Sequence, residues 1–290
     1  MTAHRTVRAC AVFLTTLVLA PVVAAGSAVK QVQEPAAGPV QERIVRVGER
    51  EVRAFCTSPD PKAILLHGGG TTARSWLPVL QRLEGELEAC AYDRPGTGAS
   101  RPDPSPRGWY ELMDELRQIH RALGAPSGYV LVGEGLGGLY ARLLASGRSG
   151  DVRGLLLLDP SHEEMPERAR PGMPPEAWAE WMQSRLRPND DGVVEARLAD
   201  RARERRLPSI PVTILTATRR QDGNGWDARF LGEAARQLHA SILRGVPMGR
   251  HLPARGSGPV IQEDRPDLVA RELRRLVDVV GASRPRSGGW

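Results

Sequence analysis

Residues 130–138 read VLVGEGLGG, and LYARLLASG follows at 139–147. The apolar run gives way to glycines at 133, 135 and 137, and the chain resumes with helical spacing. A continuous apolar run is the pattern of a strand buried on both faces. The reading is therefore a strand, a tight glycine turn, then a helix packed close to the strand.

The same rhythm extends outward. VRAFC (52–56), AILLHG (63–68), EACAYD (88–93), YVLVG (129–133), VRGLLLLD (152–159) and PVTILTAT (211–218) read as strands, and GRHLPAR (249–255) reads as the last one. Helical spacing runs over 75–87, 108–124, 137–147, 226–241 and 265–282. Strands alternating with helices predict an α/β domain with a doubly wound, mostly parallel sheet. No internal repeat interrupts it. Residues 161–208 are long, polar and rich in proline, more than a connection needs. Helical stretches at 175–187 and 192–206 make this a helical cap insert, with Trp178 and Trp181 turned to a pocket or buried against the domain.

The 290-residue chain begins with His4, Arg5 and Arg8, and Ala9–Val29 carries no charge. A basic start, an apolar centre and the small residues AGSA form the secretory pattern, with cleavage after Ala25 or Ala28. The alternative is an uncleaved anchor, because the uncharged stretch approaches the ~20 residues that span a bilayer. Pro21 and the short apolar core favour the signal peptide. Residues 1–28 are thus a signal peptide or membrane anchor, with possible membrane association through 9–29. Residues 29–42 form a Pro/Ala/Gln linker, 43–282 the domain, and 283–290 a tail. Either N-terminal reading makes the domain secreted or extracytoplasmic. About 260 residues remain after the leader, enough for one large α/β unit.

Net charge is +6, almost all of it from arginine interleaved with acids. This is the pattern of solvated helix faces, and it gives no reason to expect nucleic acid. No cluster implies a metal or cofactor. Cys10 lies in the leader, which leaves Cys56 and Cys90 as a candidate disulfide in an exported chain.

Five motifs in order carry a resemblance: LLHGGG (65–70), CAYDRPGTGAS (90–100), YVLVGEGLGGLYAR (129–142), LLLLDPSHEE (155–164) and GRHLPARGSGPVIQEDRPDL (249–268). Over nearly all of 43–282 the chain resembles the α/β-hydrolase fold superfamily. That family carries G-x-S-x-G at the strand-to-helix elbow, the serine on a strained turn. Here the serine position is Gly135, which has no nucleophilic atom. Glycine relieves the strain of that turn. Glu134 is one place off, and its offset forfeits attack geometry. The family's histidine follows the last strand; here Pro259 stands in its place, and proline moves no proton. His67, His162, His239 and His251 read as structural. The acid position is Asp159 or Asp222, with the balance toward Asp159, and Asp93 ties a loop.

The resemblance implies oxyanion donors at Gly68, Gly69 and Leu136, which need no particular side chain. It also implies that the strands of Cys56 and Cys90 are neighbours, within reach of a disulfide. The expected function is an exported pseudoenzyme that binds a small-molecule, acyl or lipid-like ligand. Two alternatives stand beside it. One is an active hydrolase of ester or similar acyl bonds using water activated by Glu134 or Asp159. The other is an interaction module that docks through the cap near Arg201–Arg206.

Overall fold

The structure is a computed structural model that describes residues 38–100, 107–147, 150–220 and 226–282. These residues form an eight-stranded sheet: β1 (Gln41–Val47), β2 (Arg50–Cys56), β3 (Ala63–Leu66), β4 (Ala89–Tyr92), β5 (Tyr129–Glu134), β6 (Val152–Leu158), β7 (Val212–Ala217) and β8 (Gly249–Ala254). The order is β1-β2-β4-β3-β5-β6-β7-β8. β1 pairs antiparallel with β2 and β2 antiparallel with β4, while every other pairing is parallel.

Side-chain alternation divides the core between the two faces of the sheet. Ile64, Leu66, Leu131, Leu155 and Leu157 pack on one face, toward α2 (Trp109–Ala122) and α3 (Gly135–Ala145). Ala63, Leu65, Val130, Val132, Leu156 and Leu158 pack on the other, toward α1 (Leu77–Leu83) and α9 (Pro266–Ala282). Each helix supplies an apolar stripe: Leu112, Leu116 and Ile119 on α2, and Val269, Leu273, Leu276 and Val280 on α9. With helices on both faces, the central strands are apolar throughout, which is why they stood out in sequence.

β1 begins at Gln41, inside the segment read as linker, and it matches none of the strands read from sequence. Its burial runs almost entirely exposed or half-exposed, with only Val45 buried. An edge strand of this kind has no apolar run to announce it. The expected helix at 75–87 is shorter, a 3-10 turn at Ala73–Trp76 followed by α1.

Within 161–208 the chain forms α4 (Met165–Ala169), α5 (Pro175–Arg185) and α6 (Glu195–Arg203). Trp178 and Trp181 are half-buried. Arg170 lies over one ring at 5.0 Å and Arg185 over the other at 5.3 Å. The turn between α5 and α6 reaches into the domain. Asp191 is buried against Arg94, with Nε–Oδ1 at 2.9 Å, and Tyr140 on α3 donates to its other oxygen at 2.8 Å. Arg94 also donates to the carbonyls of His67 and Gly68. Burial works against the charge on Asp191, but Arg94 outweighs it and holds the carboxyl below the usual range.

Cys56 and Cys90 face each other directly across the β2–β4 pair and form a disulfide with Cα atoms 4.1 Å apart. The bridge spans a sequence separation of 34. A loop of that size lowers unfolded-chain entropy by about 3–4 kcal/mol at 25 °C. Urea unfolding of the oxidised and fully reduced protein should therefore show the reduced form less stable by about 2–4 kcal/mol. Equal midpoints would show that the bridge adds nothing beyond the strand pairing.

Candidate functional site

The elbow is built by backbone contact. Gly135 opens α3 with φ +52, the left-handed region where glycine carries no steric cost. A Cβ on Gly133 would lie 2.4 Å from the carbonyl oxygen of Gly137, and one on Gly137 would lie 2.5 Å from that of His67. Both positions need glycine because strand and helix backbones touch there. Position 135 differs: a Cβ there would meet only the Gly68 Cα, at 3.7 Å, an ordinary contact. Space for a side chain remains, and none is present.

The structure brings several of the sequence-predicted site residues together. Gly68 lies beside Gly135, and a Cβ on Gly69 would approach the Leu136 side chain at 4.0 Å. Gly135 also accepts a hydrogen bond from the Ser161 N–H at 2.8 Å, so the turn after β6 adjoins the elbow. Asp159 on that turn has φ +42, the one non-glycine positive φ among the described residues. Asp222 lies outside the described residues. Pro259 is exposed in the segment after β8. Three residues on, Gln262 of α8 (Ile261–Asp264) reaches Glu134 at 3.3 Å, so this segment abuts the back of the elbow.

The donors expected for an oxyanion divide into used and unused. The Gly68 N–H donates to Glu134 Oε2 at 2.7 Å and to Thr71 Oγ1 at 3.0 Å, so that donor is already taken by the protein. The reason is that the loop folds onto the buried Glu134 carboxyl, a long-range contact with no local pattern in sequence. The Gly69 N–H makes no hydrogen bond among the described residues. Leu136 sits in the first turn of α3, where N–H groups lack helical acceptors.

Both carboxylates are held through one oxygen each, Oε2 of Glu134 and Oδ1 of Asp159. Glu134 accepts from Gly68, from Thr71 at 3.0 Å and from Gln262. Burial raises its pKa; those three hydrogen bonds oppose the rise, and the charge of Asp159 adds to it. Asp159 accepts from the Ala217 N–H at 3.2 Å and from Arg220 at 2.6 Å. Asp93 accepts from the N–H groups of Ala73 at 2.8 Å and Ala99 at 3.0 Å, joining the loops after β3 and β4.

The histidines have settled partners. His67 bonds the Gly68 carbonyl at 2.8 Å and Thr97 at 3.0 Å; burial, then Arg94, lowers its pKa to about 3. His120 lies between the hydroxyls of Tyr92 and Tyr129, and burial lowers it to about 3. His162 approaches Ser241 at 3.2 Å, but with the polarity opposite to a nucleophile–base pair. Its Nδ1 accepts from the Glu164 N–H, so the neutral ring carries its proton on Nε2 and donates to the serine. Ser241 in turn donates to the Leu238 carbonyl. His239, on α7 (Ala228–Ile242), donates Nε2–H to the Pro160 carbonyl at 2.9 Å. Its Nδ1 then accepts from Thr216, which accepts from His251, each at 2.7 Å. His251 sits in β8, paired with Ile214.

A family model described as "Alpha/beta hydrolase family" matches residues 63–282. The uncharacterized protein YqjL of Bacillus subtilis is 24% identical over 204 residues, covering 70% of this chain and 78% of that protein. Among solved structures, a bacterial membrane phospholipase A superposes with TM-score 0.56 and 20% identity over 84% of this chain and 87% of its own. The haloalkane dehalogenase DatA of Agrobacterium tumefaciens gives 0.57 and 16%, over 83% and 97%. At these identities the structural likeness concerns the fold.

The buried Glu134 makes a testable contribution to stability. Its folded pKa lies above the ordinary 4.5, so its carboxyl favours folding when protonated, and that advantage is lost as pH rises through the raised value. Glu134→Gln keeps an acceptor for Gly68 and cannot ionise. Its melting temperature relative to the parent should rise between pH 4.5 and the raised value, then level off. A difference that stays flat across pH 4–8 would show that Glu134 titrates as it does in water.

Proposed function

The chain belongs to the alpha/beta hydrolase family, and we propose that it is an exported member that has given up acyl transfer and binds a small-molecule or lipid-like ligand. The observation that carries this reading is position 135. The backbone keeps the left-handed turn of the elbow, space for a side chain is present, and the residue is glycine. A covalent acyl intermediate needs an oxygen or sulfur at that point. Pro259 at the histidine position removes the general base as well.

The commitments of the neighbouring groups support the same reading. Three donors hold Glu134 through Oε2 and two hold Asp159 through Oδ1, which fixes both carboxylates in place. Each described histidine has hydrogen-bond partners of its own. The oxyanion side keeps Gly69 and Leu136 as unspent backbone donors, which suit a carbonyl or carboxylate oxygen of a bound ligand.

Export rests on the basic, apolar and small-residue order of 1–28, and the Cys56–Cys90 disulfide is compatible with an extracytoplasmic location. Residues 9–29 lie outside the described residues. Among the described ones, no helix is long and apolar enough to cross a membrane.

The test is restoration. The parent protein should release no burst of nitrophenolate from short-chain nitrophenyl esters. Gly135→Ser alone places a side chain at φ +52, at a cost of about 1–2 kcal/mol, and should leave activity near background. The pair Gly135→Ser with Pro259→His should recover weak esterase activity, well above either single change, because such residues act as a unit. A folded but inert double variant would show that more than these two side chains was lost. Turnover by the parent that Glu134→Gln abolishes would instead establish the active-hydrolase alternative.

A further inference from the structure

A cleft of about 960 Å³ opens between the ends of β7 and β8 and the outer part of α7. It contains neither the elbow residues nor any residue of the 161–208 insert. Among the described residues four guanidinium groups line it, those of Arg219, Arg220, Arg229 and Arg236, against one carboxylate, Glu233. His251 lines it as well. Burial, then the nearby charge of Arg236, lowers the pKa of His251, so at neutral pH the positive field comes from arginine. The rest of the wall is mostly alanine, proline, glycine and threonine.

The arginines are only partly neutralised. Arg219 meets Asp264 at 3.1 Å and Arg236 meets Glu233 at 2.5 Å, and all four side chains are more than a third exposed. Exposed pairs of this kind contribute little and exchange readily for a better acceptor. Arg229 has no ion-pair partner among the described residues. Arg220 is the most buried of the four. It gives one terminal nitrogen to Asp159, yet its Nε is buried with no acceptor among the described residues. A buried donor without an acceptor costs about 1–3 kcal/mol, and more on a charged group. An anion in the cleft would supply that acceptor. Guanidinium groups suit phosphate and carboxylate oxygens because their N–H donors are planar and paired. The volume lies at the upper end of ordinary ligand pockets, well beyond the needs of an inorganic ion.

We propose that this cleft binds an organic anion: a phosphate or carboxylate head on the arginines, with a compact apolar body against the alanine and proline wall. It rests on the reading that the chain binds a small molecule rather than consuming it. It sets an anion site beside the elbow, toward β8 on the same C-terminal side of the sheet. Arg220 joins the two places, since the bound head group and Asp159 compete for one guanidinium.

Calorimetric titration of the purified protein with phenyl phosphate, phenylacetate and neutral benzyl alcohol tests it. The two anions should bind and the alcohol should not. Affinity should fall as salt is raised. Arg229→Ala with Arg236→Ala should weaken binding about tenfold or more, with an unchanged melting temperature. Glu233→Gln, which removes a lining carboxylate, should tighten it. The stronger of the two anions identifies the head group. No binding of either anion, equal binding of the alcohol, or anion binding untouched by the double arginine change would overturn the cleft assignment. Following each probe by chromatography keeps the two readings apart. Breakdown of phenyl phosphate would overturn the binding-only reading, while the arginine variants would still decide where the anion sits.

Discussion

The contact of bare backbones at the elbow governs the centre of this molecule. The end of β5, the first turn of α3 and the end of β3 approach so closely that side chains at 133 and 137 are excluded by carbonyl oxygens at 2.4 and 2.5 Å. Gly138 is confined as well, its Cβ position falling 2.7 Å from Pro160. These glycines let the central strands and α3 pack closely. Position 135 bears none of this load, because its Cβ direction is open. Fold and chemistry are therefore separable here. Glycine at 135 leaves every steric requirement of the turn intact and avoids the strain that a side chain would add at that φ.

What was legible in the sequence follows the same division. Strands buried on both faces announce themselves as apolar runs, and β2 to β8 fall where those runs do. The helices with one apolar stripe, α2, α7 and α9, were equally visible. β1 was not, because a polar edge strand pairs through its backbone and leaves no composition signal. The elbow glycines and Cys90 were readable because each sits inside a motif, and Cys56 because it ends an apolar strand run. The Glu134–Gly68 bond and the Arg94–Asp191 pair were not. Their partners are 66 and 97 residues apart, and no local spacing encodes such a meeting. One indirect signal existed for Glu134: a charged residue at the end of an otherwise buried strand must find donors.

The described imidazoles are each fixed in a hydrogen-bond network. A general base must offer an unprotonated nitrogen to a hydroxyl. His162 offers a donor instead, fixed by the backbone N–H on its other nitrogen. His239 does accept from a hydroxyl, but that hydroxyl is Thr216, which also receives the proton of His251. The chain from His251 through Thr216 and His239 to the Pro160 carbonyl has one consistent direction, set at its end by an acceptor that cannot be reversed. It holds α7 against β7 and β8, and it shapes the wall of the arginine-lined cleft.

The insert is fixed in place too. Asp191 is 2% exposed and Arg94 1%, so their pair sits out of water. Separating them would strand a charge in the core, which costs about 3–5 kcal/mol. Arg94 is bound at the same time to the His67 and Gly68 carbonyls, and Asp191 to Tyr140 of α3. The turn around 191 is thereby fixed to the same loop and helix that build the elbow. Arg220 links the arginine-lined cleft to the elbow: it donates to Asp159, and the turn from Asp159 to Ser161 donates to the carbonyl of Gly135.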